Sequence, residues 1–136
     1  MRAAIVFFSE KYGSRTVETA KGLARGMEAA GCRADLVDGL RETGKRLSSY
    51  DSLVLCCEAL TFFSGKISEK IPVFLAGAGL VSGKRSYAFI SGRSFSANRA
   101  LSRLMRAMEK EGLFLRYSEV LSSPAPAESV GRSVAA

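Results

Sequence analysis

The chain has 136 residues, of which 47% are hydrophobic and 24% are charged. This length supports one domain with a hydrophobic core and is too short for two domains, and the composition is that of an ordinary globular protein. No apolar run approaches the roughly 20 residues of a membrane-spanning helix. Met1-Arg2 leads directly into an apolar segment with no signal peptide before it, so we expect a cytoplasmic protein without a membrane partner.

The side chains that most often carry metal and acid–base chemistry are scarce. The chain has no histidine and three cysteines without metal-ligand spacing. Cys32 lies at the start of a predicted strand, and Cys56 and Cys57 lie inside an apolar run, where cysteine acts as a small hydrophobic residue. We therefore expect no metal site, and we identify no catalytic residue.

The net charge of +7 comes from basic residues spread along the whole chain. Such a charge favours an anionic ligand or an acidic partner. No motif of a nucleic-acid-binding protein accompanies it, so a nucleic-acid partner is not indicated. A solvated basic surface is the simplest interpretation.

The N-terminal half predicts a strand, a helix and two further strands. The apolar run over residues 3–8 is typical of a strand buried on both faces. A helix is predicted over residues 15–30, because apolar residues recur at helical spacing and Gly31 follows. The alternating segment 33–37 predicts a second strand and the apolar segment 53–57 a third, with a polar loop between them.

The C-terminal half continues the alternation of helices and strands. Apolar residues from Ile67 to Ala78 recur at helical spacing and predict a second helix. A strand over residues 87–90 and a helix over residues 97–111 follow. The last strand is predicted over residues 113–117, and a short terminal helix is predicted from Ala127.

Alternating strands and helices of these lengths predict a parallel sheet with helices on both faces. Five strands are too few for an eight-stranded barrel, so the α/β fold class is an open doubly wound sheet. We expect one domain over residues 1–118 and a tail over residues 119–136, rich in Ser, Pro and Ala. Because this tail is short for a full helix, we predict a partly bare sheet face beside the first helix and, from it, a homodimer.

The turn between the first strand and the first helix predicts an anion site. It runs from Ser9 to Thr16 and is hydroxylated, glycine-bearing and basic. Backbone N–H groups and the positive end of the helix dipole converge at such a turn, and Gly13 lets the backbone approach a ligand closely. A phosphate group is the ligand that this chemistry favours.

From Ala3 to about Tyr117 the chain resembles the flavodoxin-like family, as a divergent member. The residues that carry the resemblance are Phe8-Ser9, Tyr12-Gly13-Ser14 and Thr16 in the turn, Leu47 to Asp51 before the third strand, Phe62-Phe63 with Gly65, and Ser91-Gly92. The resemblance implies the strand order 2-1-3-4-5. It also implies FMN bound beyond the carboxyl ends of the strands, and electron transfer.

The resemblance also implies which residues would contact FMN. Its phosphate would be bound by Ser9, Tyr12, Gly13, Ser14 and Thr16, with added charge from Arg15. Its ring would lie between two loops that contribute Thr61, Phe62, Phe63 and Gly65, and Ser91, Gly92, Arg93 and Phe95. We expect at most one of Phe62 and Phe63 to face the ligand, with the other in the core. Arg93 beside the ring would stabilise the reduced, anionic flavin and raise its potential.

Three functional hypotheses follow. The first is an FMN-binding electron-transfer protein or small oxidoreductase, with a redox protein or a small molecule as its partner. The second is a flavodoxin-like scaffold that binds no flavin and acts as a binding or regulatory domain. It is motivated by the extra residue between Ser9 and Gly13, and by Cys57-Glu58-Ala59 where the family often has glycine, a hydroxyl residue and proline. The third, a nucleotide- or nucleic-acid-binding protein, rests on the net charge alone.

Overall fold

A single five-stranded parallel sheet organises the chain, with strand order β2-β1-β3-β4-β5. In chain order the strands are β1 (Arg2–Phe8), β2 (Arg33–Asp38), β3 (Ser52–Glu58), β4 (Arg85–Ser91) and β5 (Phe114–Leu121). These bounds come from a computed structural model that describes residues 1–10, 14–61, 63–92 and 95–135. The predicted open doubly wound sheet and its strand order are confirmed.

Helices cover both faces of the sheet. The helices α1 (Arg15–Ala29) and α4 (Ala127–Ala135) lie on one face, and α2 (Lys70–Ala76) and α3 (Ala97–Lys110) lie on the other. Ile5 and its neighbour Val54 pack toward α1, whereas Val6 and its neighbour Leu55 pack toward α2 and α3. The inner positions of the central strands, residues 3–8 of β1 and 53–57 of β3, are therefore apolar, as is usual for strands buried on both faces.

The register of the sheet brings three loops to one edge. Phe8 at the end of β1 lies opposite Cys57, and Glu58 at the end of β3 lies opposite Ser91. Because all strands are parallel, the segments that follow β1, β3 and β4 leave the sheet side by side. This edge is where open α/β sheets bind their ligands.

The second helix is shorter than its hydrophobic pattern predicted. Ile67 lies before α2 and Ala78 lies after it, although both pack with the core. Gly77 and Gly79 follow the last helical residue, and Gly79 has a φ of +91°, which a continuing helix does not allow. The apolar spacing therefore indicated correctly which residues are buried, and the glycines determine where the helix ends.

The C-terminal segment belongs to the sheet and its covering layer. Strand β5 continues to Leu121, past the predicted domain boundary at residue 118, and α4 forms from Ala127 as predicted. The expected partly bare sheet face beside α1 is corrected in part, because α4 lies there against α1 and an open space remains between α4 and the first halves of β4 and β5. The homodimer, which was inferred from that bare face, stays a prediction. No helix among the described residues has the length and apolar character needed to cross a membrane.

Small residues bring α1 and α4 into backbone contact. A Cβ atom added at Gly26 would lie 2.0 Å from the carbonyl oxygen of Glu128, and one added at Gly131 would lie 2.3 Å from the carbonyl oxygen of Leu23. Gly22 meets Ala127 in the same interface. The closeness of the two helices therefore depends on the absence of side chains at these positions.

This contact predicts the effect of Gly26→Ala. Alanine in a helix interior is ordinarily favoured over glycine by about 1 kcal/mol. Here the added methyl group overlaps backbone that cannot rotate away, and overpacking costs typically 1–3 kcal/mol. We expect a net loss of up to roughly 2 kcal/mol in the free energy of unfolding, measured by urea titration. Gly77→Ala is the matched control, because its Cβ would lie 3.6 Å from the nearest atom and should cause no loss.

Candidate functional site

A cavity of about 160 Å³ lies at the carboxyl edge of the sheet, where β1 and β3 end. Its lining includes Ser9 and Glu10 after β1, Ser14 at the start of α1, and Glu58 at the end of β3. These groups come from segments far apart in sequence and meet because the strands are parallel and in register. The cavity lies where the sequence predicted an anion site.

Two of the predicted phosphate-binding residues lie together at the N-terminus of α1. The Oγ atoms of Ser9 and Ser14 are 2.7 Å apart. Ser14 has extended backbone and caps the helix, since its Oγ accepts a hydrogen bond from the N–H of Val17 at 3.3 Å. Lys11, Tyr12 and Gly13 of the same turn lie outside the described residues. The described part of the turn thus presents two hydroxyl groups at the positive end of a helix.

Thr16 ties three segments together. Its side chain is 1% exposed, and its Oγ1 lies 2.5 Å from Ser91 Oγ and 3.2 Å from Glu58 Oε1. One consistent arrangement has Ser91 donating to Thr16 and Thr16 donating to the Glu58 carboxylate. The hydroxyl of Thr16, predicted to contact phosphate, therefore serves the protein's own network, and Ser91, predicted to lie near the ring, is part of it.

Glu58 is a site residue that the sequence analysis did not identify as one. Its carboxylate lines the cavity and accepts the hydrogen bond from Thr16 in the first turn of α1. A carboxylate at the N-terminus of a helix is stabilised by the helix dipole. The available signal was its position, since Glu58 is the first charged residue after a buried strand. It places a negative charge where a bound anion would gain from the same dipole.

The loop after β3 is closed by its own hydrogen bonds. Thr61 Oγ1 lies 2.5 Å from Ser64 Oγ and accepts from the N–H of Lys66 at 3.2 Å. Ser96, just before α3, donates from its Oγ to the carbonyl oxygen of Thr61 at 2.6 Å. The polar groups of Thr61 therefore fix the shape of this loop and attach it to α3.

Gly65 and Gly92, both predicted to contact the cofactor, have backbone roles in the structure. Gly65 has a φ of +72°, and a Cβ there would lie 2.5 Å from the Cβ of Arg99 on α3. Gly92 has a φ of +106°, and its N–H donates to the carbonyl oxygen of Leu121 at 2.9 Å. Both positions need glycine for the chain to turn at the edge of the sheet.

Two exposed aromatic rings lie beside each other on the loops after β3 and β4. Phe63 is 70% exposed and Phe95 is 81% exposed, and their rings are 6.3 Å apart and almost parallel, with an interplanar angle of 4°. Phe63 is thus a surface residue, whereas Phe62 and Arg93 lie outside the described residues. Arg15 is exposed at the first position of α1. Large exposed rings at a sheet edge indicate a contact surface.

The cysteines lie in the core, as their sequence context predicted. Burial raises the pKa of the Cys56 thiol to about 12 and that of Cys57 well above its usual value. Both thiols therefore stay protonated at neutral pH, and neither is a nucleophile. Across the described ranges no three His, Cys, Asp or Glu side chains form a group that could hold a metal ion.

Comparison with solved structures shows the flavodoxin-like fold. A flavodoxin from the Archaea is 18% identical, with 98% of this chain and 96% of that chain covered and a TM-score of 0.73. Flavodoxin 1 of Bacillus cereus is 15% identical, with 96% and 95% covered and a TM-score of 0.75. The flavodoxin of Streptococcus pneumoniae TIGR4 is 21% identical, with 99% and 98% covered and a TM-score of 0.74. No protein-family model and no curated protein matches the sequence.

The Thr16 network predicts the effect of Thr16→Val. Valine keeps the shape of threonine but leaves the buried hydroxyl of Ser91 and the carboxylate of Glu58 without this partner. An unsatisfied buried polar group costs about 1–3 kcal/mol. We expect a loss in this range in urea unfolding, and Thr16→Ser, which keeps the hydroxyl, should recover most of it. Equal stability of the valine variant and the native chain would contradict a structural role of the network.

Proposed function

We propose that the chain binds FMN at the carboxyl edge of its sheet and acts as an electron-transfer protein or small oxidoreductase. The observation that carries the proposal is the pair of hydroxyl groups of Ser9 and Ser14 at the N-terminus of α1, in a flavodoxin-like fold. Phosphate is the anion for which hydroxyl donors at a helix N-terminus are suited.

The phosphate would be held by the hydroxyls of Ser9 and Ser14 and by N–H groups of the first turn of α1. Arg15 adds an exposed positive charge next to them. Hydrogen bonds to a charged oxygen are shorter and stronger than neutral ones, so a few donors are enough to fix a phosphate. Ser9 is buried, and a hydrogen bond from its hydroxyl is stronger because it is shielded from water.

The flavin ring would lie over the loops at Phe63 and Phe95. The cavity of about 160 Å³ suits a phosphate and is too small for a three-ring system. The nearly parallel phenyl rings of Phe63 and Phe95 offer faces on which such a ring stacks. When bound, the flavin supplies the redox chemistry, and the protein binds and orients it.

Glu58 opposes the phosphate in this site. Its carboxylate lines the same cavity as Ser9 and Ser14 and uses the same helix terminus. Two negative charges near one another raise the free energy of binding, and the effect grows as water is excluded. The hydroxyls and the helix terminus fit a phosphate, and Glu58 weakens its binding.

A second candidate function is a binding or regulatory domain on the same scaffold without flavin. The observation that favours it is the hydrogen bond from the Thr16 hydroxyl to Glu58, together with a second carboxylate, that of Glu10, in the cavity lining. In that case the positive end of the α1 dipole is already balanced by the negative charge of the Glu58 carboxylate. The two functions differ in whether FMN binds, which a titration measures.

The first prediction of the flavin proposal concerns FMN itself. We expect the fluorescence of FMN to be quenched on addition of the native chain. Riboflavin, which lacks the phosphate, should bind at least about tenfold more weakly because it lacks charge-assisted hydrogen bonds. Ser9→Ala should weaken FMN binding, whereas Ser102→Ala, an exposed serine on α3, should not. Absence of quenching at tens of micromolar protein would favour the domain without flavin.

The second prediction concerns Glu58. Glu58→Gln keeps an acceptor for the Thr16 hydroxyl but removes the negative charge beside the phosphate. We expect FMN to bind roughly tenfold more tightly, because repulsion between two negative charges at short range in a partly buried site weakens binding by about this factor. Glu109→Gln removes the same charge from an exposed site on α3 and serves as the control. Unchanged or weaker FMN binding by the Glu58 variant would contradict the proposed position of the phosphate.

A further inference from the structure

A second and larger cavity lies at the opposite, amino end of the sheet. Its volume is about 510 Å³, within the range of roughly 300–1,000 Å³ that is usual for small-molecule sites. It lies between α4 and the first halves of β4 and β5, and the buried residues Met27 and Cys32 also line it. The candidate flavin site is at the other end of the strands, so the two sites share no lining residue.

The close contact of α1 and α4 explains why this space exists. Gly26 and Gly131 hold α4 against α1 by backbone contact. A helix drawn to one side in this way cannot also fill the space above β4 and β5. The side of α4 that faces the cavity presents Ser129, Val130, Ser133 and Val134, which offers both hydroxyl groups and apolar surface.

A β-bulge in β5 brings a charge and an aromatic ring to the cavity together. Leu115 lies opposite Ser86 and Tyr117 lies opposite Tyr87, so Arg116 is the extra residue between them. Successive residues of a regular strand point to opposite faces, whereas a bulge directs two neighbours to one side. Arg116 and Tyr117 both line the cavity, and the Tyr117 ring contacts Phe89 at 6.2 Å on the same face of the sheet.

The charges of the lining are all positive. Arg85 and Arg116 contribute guanidinium groups, and no Asp or Glu of the described residues lines the cavity. Within the described part of the chain, neither arginine is in an ion pair. Two carboxylates lie close to the lining without being part of it: Glu119 accepts from Tyr117 Oη at 2.7 Å, and Asp51 directly precedes Ser52.

We propose that this cavity binds a small amphipathic organic anion, with a carboxylate or a phosphate monoester as its head. Arg85 and Arg116 would hold the head, because the planar fork of a guanidinium group can donate two parallel hydrogen bonds to a pair of oxygens on either a carboxylate or a phosphate. The rings of Tyr87 and Tyr117 and the side chain of Val130 would pack against an aromatic or aliphatic body. This proposal is independent of flavin binding, since it uses none of the residues of the flavin site.

The test is titration calorimetry of the native chain with three probes that share a naphthalene body and differ in the head. They are 2-naphthoate, 2-naphthyl phosphate and the neutral 2-naphthamide. Both anions should bind and the amide should bind at least about tenfold more weakly, because it lacks the charge that the arginines recognise. The ratio of the affinities of the two anions identifies the preferred head. Equal binding of all three probes, or no binding of either anion, overturns the proposal.

Variants place the binding in this cavity. Arg85→Gln combined with Arg116→Gln should weaken both anions by at least about tenfold and leave the amide unchanged. Arg106→Gln, an exposed arginine on α3, should have no effect. Ser133→Phe, which fills the cavity from the exposed surface of α4, should weaken all three probes, with urea unfolding used to verify that the variant is folded. Anion binding that is unchanged in the double arginine variant would overturn the proposal, even if FMN binding is intact.

Discussion

The structure depends on the burial of β1, β3 and β4 on both of their faces. Neighbouring residues of these strands, such as Ile5 and Val6, belong to two separate cores, one under α1 and one under α2 and α3. A strand in this position has no polar face and pairs with parallel neighbours on both sides. The register that results brings Ser9, Glu58 and Ser91 to one edge, and this edge contains the candidate flavin site.

At that edge, hydroxyl and carboxylate groups of the protein are hydrogen-bonded to one another. Thr16 joins the first turn of α1 to Ser91 after β4 and to Glu58 after β3. The network stabilises the junction of three segments, and it also places a carboxylate at the positive end of the helix. In the proposed flavin site, Glu58 would therefore stabilise the fold and oppose the phosphate. The hydroxyls of Ser9 and Ser14 line the same cavity and lie 2.7 Å from each other.

The cavity between α4 and the strands β4 and β5 arises from helix packing rather than from the register of the sheet. Glycines at positions 22, 26 and 131 draw α4 onto α1, and the short helix leaves a cavity over the first halves of β4 and β5. The bulge at Arg116 then directs a positive charge into that space. Two ends of one sheet thus carry different chemistry. The carboxyl end has hydroxyls and carboxylates, and the amino end has guanidinium groups and phenols.

The sequence by itself determined the fold. Apolar runs such as residues 53–57 predicted the buried strands, amphipathic spacing predicted α1 and α3, and their alternation predicted an open doubly wound sheet. The strand order came from the resemblance to the flavodoxin-like family. It also placed the hydroxyl-rich turn at the start of α1. Only the tertiary structure decided that α2 ends at Ala76, that α4 covers the face beside α1, and that Glu58 meets Thr16. Local patterns report burial and backbone preference, whereas these features arise from contacts between residues far apart in sequence, such as Leu23 and Gly131, which are 108 positions apart.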